Sequence, residues 1–119
     1  MATQDSCIFC AIANGEIPTN LLYEDELVAA FSDLNPLAPV HILVVPKQHY
    51  DNIIDGVPAE TLAAMVHAVD IVAHDAGIAE SGFRLIANTG PHAGQTVNHL
   101  HWHVLGGARL SDELTIIEE

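Results

Sequence analysis

Apolar and polar positions along this chain change period at only a few places, and each change marks an element. Cys7-Ile8-Phe9-Cys10-Ala11-Ile12-Ala13 reads as a short helix, which Asn14-Gly15 terminates and Pro18 keeps from continuing. Leu21-Leu22-Tyr23-Glu24 and Leu27-Val28-Ala29-Ala30-Phe31-Ser32 read as a hairpin around Asp25-Glu26. After a turn bearing Pro36 and Pro39, the β-branched run His41-Ile42-Leu43-Val44-Val45-Pro46 predicts a central strand that ends at its proline. Between Pro58 and Gly77 the period becomes helical: Leu62, Met65, Val66, Val69, Val72, Ala73 and Ala76 fall on one face of a long helix. Phe83 to Asn88 returns to a strand pattern, and Thr89 to Gln95 reads as a loop. Residues 98 to 105 read as a last strand, closed by Gly106-Gly107. The order predicts an α+β fold: a mostly antiparallel sheet of about five strands, a short N-terminal helix and one long helix, with the helices packed on one sheet face. The length predicts a single domain over residues 1–119.

The last strand carries the most pointed chemistry. His99, His101 and His103 alternate with Leu100, Trp102 and Val104, so an extended backbone aims three imidazoles from one face and the apolar side chains, Trp102 among them, inward. Successive histidines stand about 6.5–7 Å apart in such a strand. Such a row suits a phosphate, a metal ion or both, because a neutral imidazole can attack phosphorus while another donates to a phosphate oxygen or leaving group. Spacing alone does not rank the three. Cys7-x-x-Cys10 admits three readings: a redox pair, two buried small residues, or half of a metal site that His49 and His99 would complete.

Composition narrows the partners. Sixteen Asp and Glu stand against Lys47, Arg84 and Arg109, for a formal charge of −13. Such a surface repels nucleic acids and anionic membranes. The acids run from Asp5 to the closing Glu118-Glu119 rather than in one tail, a load that a salt-rich solvent would screen. No segment reads as a signal peptide or a membrane span, so a cytoplasmic location is expected, where two cysteines are free or metal-bound rather than paired.

Taken with the segments around it, His99-Leu100-His101-Trp102-His103-Val104 resembles the motif of the histidine triad family. The likeness extends through Phe31-Ser32-Asp33-Leu34-Asn35-Pro36, His41 to Lys47, Asn88-Thr89-Gly90 and Gly94-Gln95-Thr96, covering about residues 7 to 107. Within the family the chain is most similar to the small nucleoside phosphoramidases, homodimers that bind purine nucleoside monophosphates.

The resemblance implies hydrolysis of purine nucleoside phosphoramidates or related nucleoside monophosphate conjugates, with His101 the nucleophile at an exposed strand position and a nucleotidyl-histidine intermediate. His103 corresponds to the residue that contacts the phosphate and assists the leaving group, and His41 supports the network around it. Asn88, Gly94, Gln95 and Thr96 correspond to positions near the phosphate, with Thr96 on the leaving-group side. Asp33 matches the acid that accepts from the ribose hydroxyls. Ile8, Phe9, Phe31 and Leu34 match the apolar walls around the base. The prokaryotic members also imply a structural zinc ion on Cys7, Cys10, His49 and His99, which would withdraw His99 from phosphate chemistry. Two alternatives are a dinucleoside polyphosphate hydrolase and a nucleotide sensor or interaction protein with incidental hydrolysis. The three basic side chains, none of them in the triad, favour small monophosphate conjugates over polyphosphates. The segment after Gly107 leaves the leaving-group preference open.

Overall fold

A computed structural model describes residues 6–113, so Asp5 and Glu118-Glu119 of the acidic set lie outside the described residues. The order is α1 (Ile8–Ala13), β1 (Leu21–Glu24), β2 (Val28–Ser32), β3 (Val40–Pro46), α2 (Ala59–Asp75), β4 (Phe83–Ile86), a 3-10 turn at Pro91–Ala93, and β5 (Trp102–Gly106). The five strands form one antiparallel sheet in the order β1-β2-β3-β5-β4, which is the predicted α+β arrangement.

The two helices cover opposite faces of that sheet rather than the same one. Met65, Ala68, Val69 and Val72 of α2 pack on Val28, Ala30, Ile42, Val44, Trp102 and Val104. Phe9 and Ala13 of α1 pack on Ala29, Phe31, Leu43 and Val45, the alternate positions of β2 and β3. The reason is visible in those strands: both parities are apolar, so each face needs a cover. A six-residue helix covers only part of its face. The remainder becomes the site described below. On α2, Met65, Val69, Val72 and Ala73 are buried as the helical period requires and Leu62 is half-buried, whereas Val66 and, just past the helix end, Ala76 are exposed.

Register sets what faces that open part. Leu43 pairs with His103 and with Phe31, and Asp33 donates its backbone N–H to the carbonyl of His41 at 3.0 Å. Phe31, Asp33, His41, Leu43 and His103 therefore share one face at one end of the sheet. The last strand is shorter than expected and begins at Trp102. Residues 98–101 leave the ladder: the Leu100 N–H donates instead to the carbonyl of Tyr50 at 2.7 Å.

Candidate active site and metal cluster

A cavity of about 660 Å³ opens beside α1. Ile8, Phe9, Phe31, Asp33, Leu34, Thr96, His101 and His103 line it, together with Ile12, Ile17, Asn20, Asn35, Leu43 and Val97 among others. The apolar members form its inner wall, where Phe9 meets Phe31 edge-on with ring centroids 5.6 Å apart. Ile12 was legible as the position one helical turn after Ile8; Leu43 and Val97 read from sequence as ordinary strand and loop residues. Neither Lys nor Arg lines this cavity.

The two histidines at its floor stand with ring centroids 5.0 Å apart, and their surroundings give them opposite proton placements. His101 is buried rather than exposed, and its Nδ1 lies 2.7 Å from the carbonyl oxygen of His99. An oxygen without a proton can only accept, so Nδ1 carries the hydrogen and Nε2 keeps its lone pair. The edge of Phe9 lies against this ring, 5.0 Å between centroids.

His103 is fixed through His41. The Leu37 N–H donates to His41 Nδ1 at 3.0 Å, so a neutral His41 holds its proton on Nε2. That Nε2–H faces His103 Nδ1 at 2.9 Å and Asp33 Oδ2 at 3.4 Å. His103 Nδ1 accepts, which leaves the His103 hydrogen on Nε2. Burial, with His101 and His41 nearby, pushes the His103 pKa down to about 4 against the opposing pull of Asp33, so the ring is neutral near pH 7. One imidazole thus offers a lone pair and its neighbour an N–H. The pair has the inventory of a nucleophile and a donor.

The remaining predicted positions lie in the loop between β4 and β5. Gly94 takes a left-handed conformation with φ of +79°, open to glycine without strain. The Gln95 amide is committed within the protein: its oxygen accepts from the Gly90 N–H at 2.8 Å, and its nitrogen donates to the carbonyls of Asp51 at 2.6 Å and Val97 at 3.1 Å. It therefore ties the loop that presents Thr96, which is exposed at the cavity edge. Asn88 follows β4 half-buried and is not among the cavity-lining residues.

His99 faces elsewhere. Cys7, Cys10, His49 and His99 bring four donor atoms within 4.8 Å of one another. His99 Nδ1 lies 3.3 Å from both sulfurs and His49 Nδ1 3.3 Å from Cys10. Each ring donates its other nitrogen outward, His99 Nε2 to the carbonyl of Pro46 and His49 Nε2 to Asp51, both at 2.8 Å. The Nδ1 lone pair of His99 therefore faces both thiols and that of His49 faces Cys10, the arrangement in which an outer partner orients a metal-binding imidazole. Burial also pushes the His99 pKa down to about 4, keeping that lone pair free. Two sulfurs and two such nitrogens fit a tetrahedral metal ion. Asp33, His41 and His103 also gather three donor atoms within 4.8 Å, but the Leu37 hydrogen bond leaves a proton on the His41 nitrogen that would have to bind. That second cluster is a hydrogen-bond relay.

Comparison with known proteins gives concordant results. The HIT domain model matches residues 14–110. Purine nucleoside phosphoramidase of Escherichia coli strain K12 is 43% identical over 113 residues, covering 92% of this chain and 94% of that protein. Protein HitA of Neisseria gonorrhoeae is 42% identical over 104 residues, 86% of this chain and 96% of its own. A histidine triad protein structure from Clostridium difficile superposes with a TM-score of 0.87 at 47% identity, covering 93% of this chain and 98% of that one. A HIT family hydrolase from Clostridium thermocellum does so with 0.88, also at 47%, covering 95% and 100%.

Proposed function

The chain belongs to the histidine triad family, and we propose on that basis that it hydrolyses purine nucleoside phosphoramidates and related nucleoside monophosphate conjugates. The observation that carries this reading is the pair of neighbouring imidazoles with opposite proton placements, His101 with Nε2 free and His103 with Nε2–H.

In this reading the base lies between Ile8, Phe9, Phe31 and Leu34, and the ribose diol donates to Asp33. His101 Nε2 attacks the α-phosphorus and the bond from phosphorus to the amine breaks. The electron pair of the broken bond takes up a proton from solvent water at the cavity mouth, and the amine leaves. His103 Nε2–H donates to the phosphate and leaving-group side, with Thr96 beside it. The imidazolium that develops on His101 keeps its Nδ1–H on the His99 carbonyl, a fixed dipole of the right sign. Water then adds to phosphorus, the bond from phosphorus to Nε2 breaks with its electron pair returning to His101, the surplus water proton goes to solvent, and the nucleoside monophosphate is released with His101 again neutral. Gly94, Gln95 and Asn88 support this reading as the frame of the phosphate loop.

The ion that best fits the two thiolates and two imidazoles is zinc. Bound there, it would tie α1, which carries Ile8 and Phe9, to the segment before β5, a structural contribution outside the reaction steps. We read the chain as one histidine triad domain that works in the cytoplasm, without nucleic-acid or membrane partners. Among the described residues no helix is long and apolar enough to cross a membrane. We also propose a homodimer: β4 is an edge strand with Phe83 and Leu85 exposed, and a groove of about 560 Å³ beside it is lined by Val66, Val69, Ala73, Ala79 and Phe83 with Asp70, His74 and Glu80 among them. Sedimentation at micromolar concentration should give twice the 12.7 kDa chain mass, and the chain mass alone would overturn the dimer.

Turnover on adenosine phosphoramidate, guanosine phosphoramidate and a diadenosine polyphosphate tests the function. The two amidates are expected to react within about tenfold of each other, since the base walls are apolar, and both faster than the polyphosphate. Preference for the polyphosphate would overturn the assignment, and nucleotide binding without turnover would mark a sensor.

A further inference from the structure

Among the described residues Asp33 is the one carboxylate lining the cavity, and its position does more than face a ribose. Its Oδ1 accepts the Asn35 N–H at 2.8 Å and its own backbone N–H is bound to the His41 carbonyl, which fixes the carboxylate on both sides. Oδ2 is then held 3.4 Å from His41 Nε2, while the same nitrogen lies 2.9 Å from His103 Nδ1. Only one proton is available on that nitrogen, because Nδ1 is occupied by the Leu37 N–H. Two acceptors, a charged oxygen and a neutral imidazole, share one donor. His41 itself is 4% exposed, so water is a poor third partner.

We infer that ribose recognition is coupled to His103: hydroxyl groups donating to Asp33 weaken its competing pull on the His41 proton and thereby strengthen the His41–His103 hydrogen bond that holds His103 as the Nε2–H donor. This inference rests on the nucleotide reading above. A carboxylate that receives two hydroxyl hydrogen bonds is a weaker acceptor for a third, so its pull on His41 Nε2–H falls when the diol arrives. The His41–His103 hydrogen bond strengthens in response, and the alternative His103 tautomer, with hydrogen on Nδ1, is suppressed because it would set N–H against N–H. Asp33 is thus a positioning residue for His103 as well as a ribose ligand, and the sugar reports its presence to the reacting end of the site. Leu37, through its main-chain N–H, holds the relay in one direction.

The coupling predicts a split that simple ribose binding does not. With the 2′,3′-dideoxy phosphoramidate at saturation, the single-turnover rate of the wild-type protein should fall about tenfold, part of the ~10²–10⁴ that a positioned proton donor contributes. In Asp33→Ala the ribose and dideoxy substrates should react at equal saturated rates, because the competition for the His41 proton has been removed. Nitrogen-15 spectra of the imidazoles give a readout without turnover. Adenosine monophosphate should move the His103 signals further towards the Nε2–H limit and shift the His41 Nε2–H proton downfield, whereas saturating 2′,3′-dideoxyadenosine monophosphate should leave both as in the free protein. Identical spectra with the two saturating nucleotides, or a dideoxy effect confined to KM, would overturn the coupling while leaving the nucleotide reading intact. Failure of adenosine monophosphate to bind at all would instead remove the reading on which the coupling rests.

Discussion

Neighbouring histidines differ here because each ring nitrogen meets a different partner, and this difference has a consequence in pH. His103 is held neutral down to about 4 in the folded protein, while an unfolded histidine takes up a proton near 6.5. Between those values the unfolded chain binds more protons than the folded one, so stability should fall as the pH is lowered from about 6.5 towards 4. Denaturant midpoints at pH 7, 5.5 and 4.5 check this. His103→Gln is expected to reduce the slope, His99 being held neutral to about 4 as well, and an unchanged slope in that variant would place the titration elsewhere. At this scale the sequence was only partly legible. The alternation of His99, His101 and His103 marked three rings that the structure divides between two clusters, and Cys7-x-x-Cys10 marked the thiols that lie against His99. The proton placements were not readable, because they depend on a main-chain N–H at Leu37 and a carbonyl at His99, neither of which any residue type announces.

Elements here are placed by what their two faces bury. The helical period of α2 and the continuous apolar runs of β2 and β3 made those elements legible to within a residue or two. The side taken by α1 was not, because it follows from the second apolar parity of β2 and β3 rather than from α1 itself. Nor was the start of β5, since His99 and Leu100 are drawn off the ladder by Cys7, Cys10, Pro46 and Tyr50. Two predictions belong to this scale. A Cβ at Gly106, the last residue of β5, would lie 2.9 Å from Cδ1 and 3.2 Å from Cβ of Ile78, itself 2% exposed. Gly106→Ala should therefore destabilise by about 1–3 kcal/mol, read from the denaturant midpoint, and an unchanged midpoint would mean that Ile78 yields freely. The proposed zinc ion on Cys7, Cys10, His49 and His99 would tie α1 to the segment before β5, so elemental analysis of native protein should find one zinc per chain. Cys7→Ser should lower the melting temperature more than it alters the ratio of adenosine to guanosine phosphoramidate turnover; a metal-free native protein that gains no stability from added zinc would reject the cluster as a zinc site.

For the molecule as a whole the dominant quantity is charge. A formal −13 against three basic side chains leaves repulsion that few internal ion pairs offset, with Lys47 to Glu24 at 2.8 Å the one made by a lysine or arginine among the described residues. Raising potassium chloride from about 0.1 M to about 1 M shortens the screening length from ~10 Å to ~3 Å. The urea midpoint should rise over that range, and a midpoint indifferent to salt would show that the acids are spaced widely enough to ignore one another. The same charge leaves phosphate recognition to neutral donors, main-chain dipoles and the two imidazoles. In the proposed reaction the nucleophile works without a lysine or arginine in the cavity, which places the burden on His101.

That burden is tested most directly by trapping the intermediate. Wild-type protein mixed with excess adenosine phosphoramidate, quenched in alkali within the first turnover and digested, should yield a peptide carrying one adenylyl group on His101. His101→Ala should keep the native circular dichroism spectrum, lose at least about 10³-fold in turnover and show no adduct. An adduct on a different residue, or a His101→Ala protein that turns over at the wild-type rate, would contradict the account.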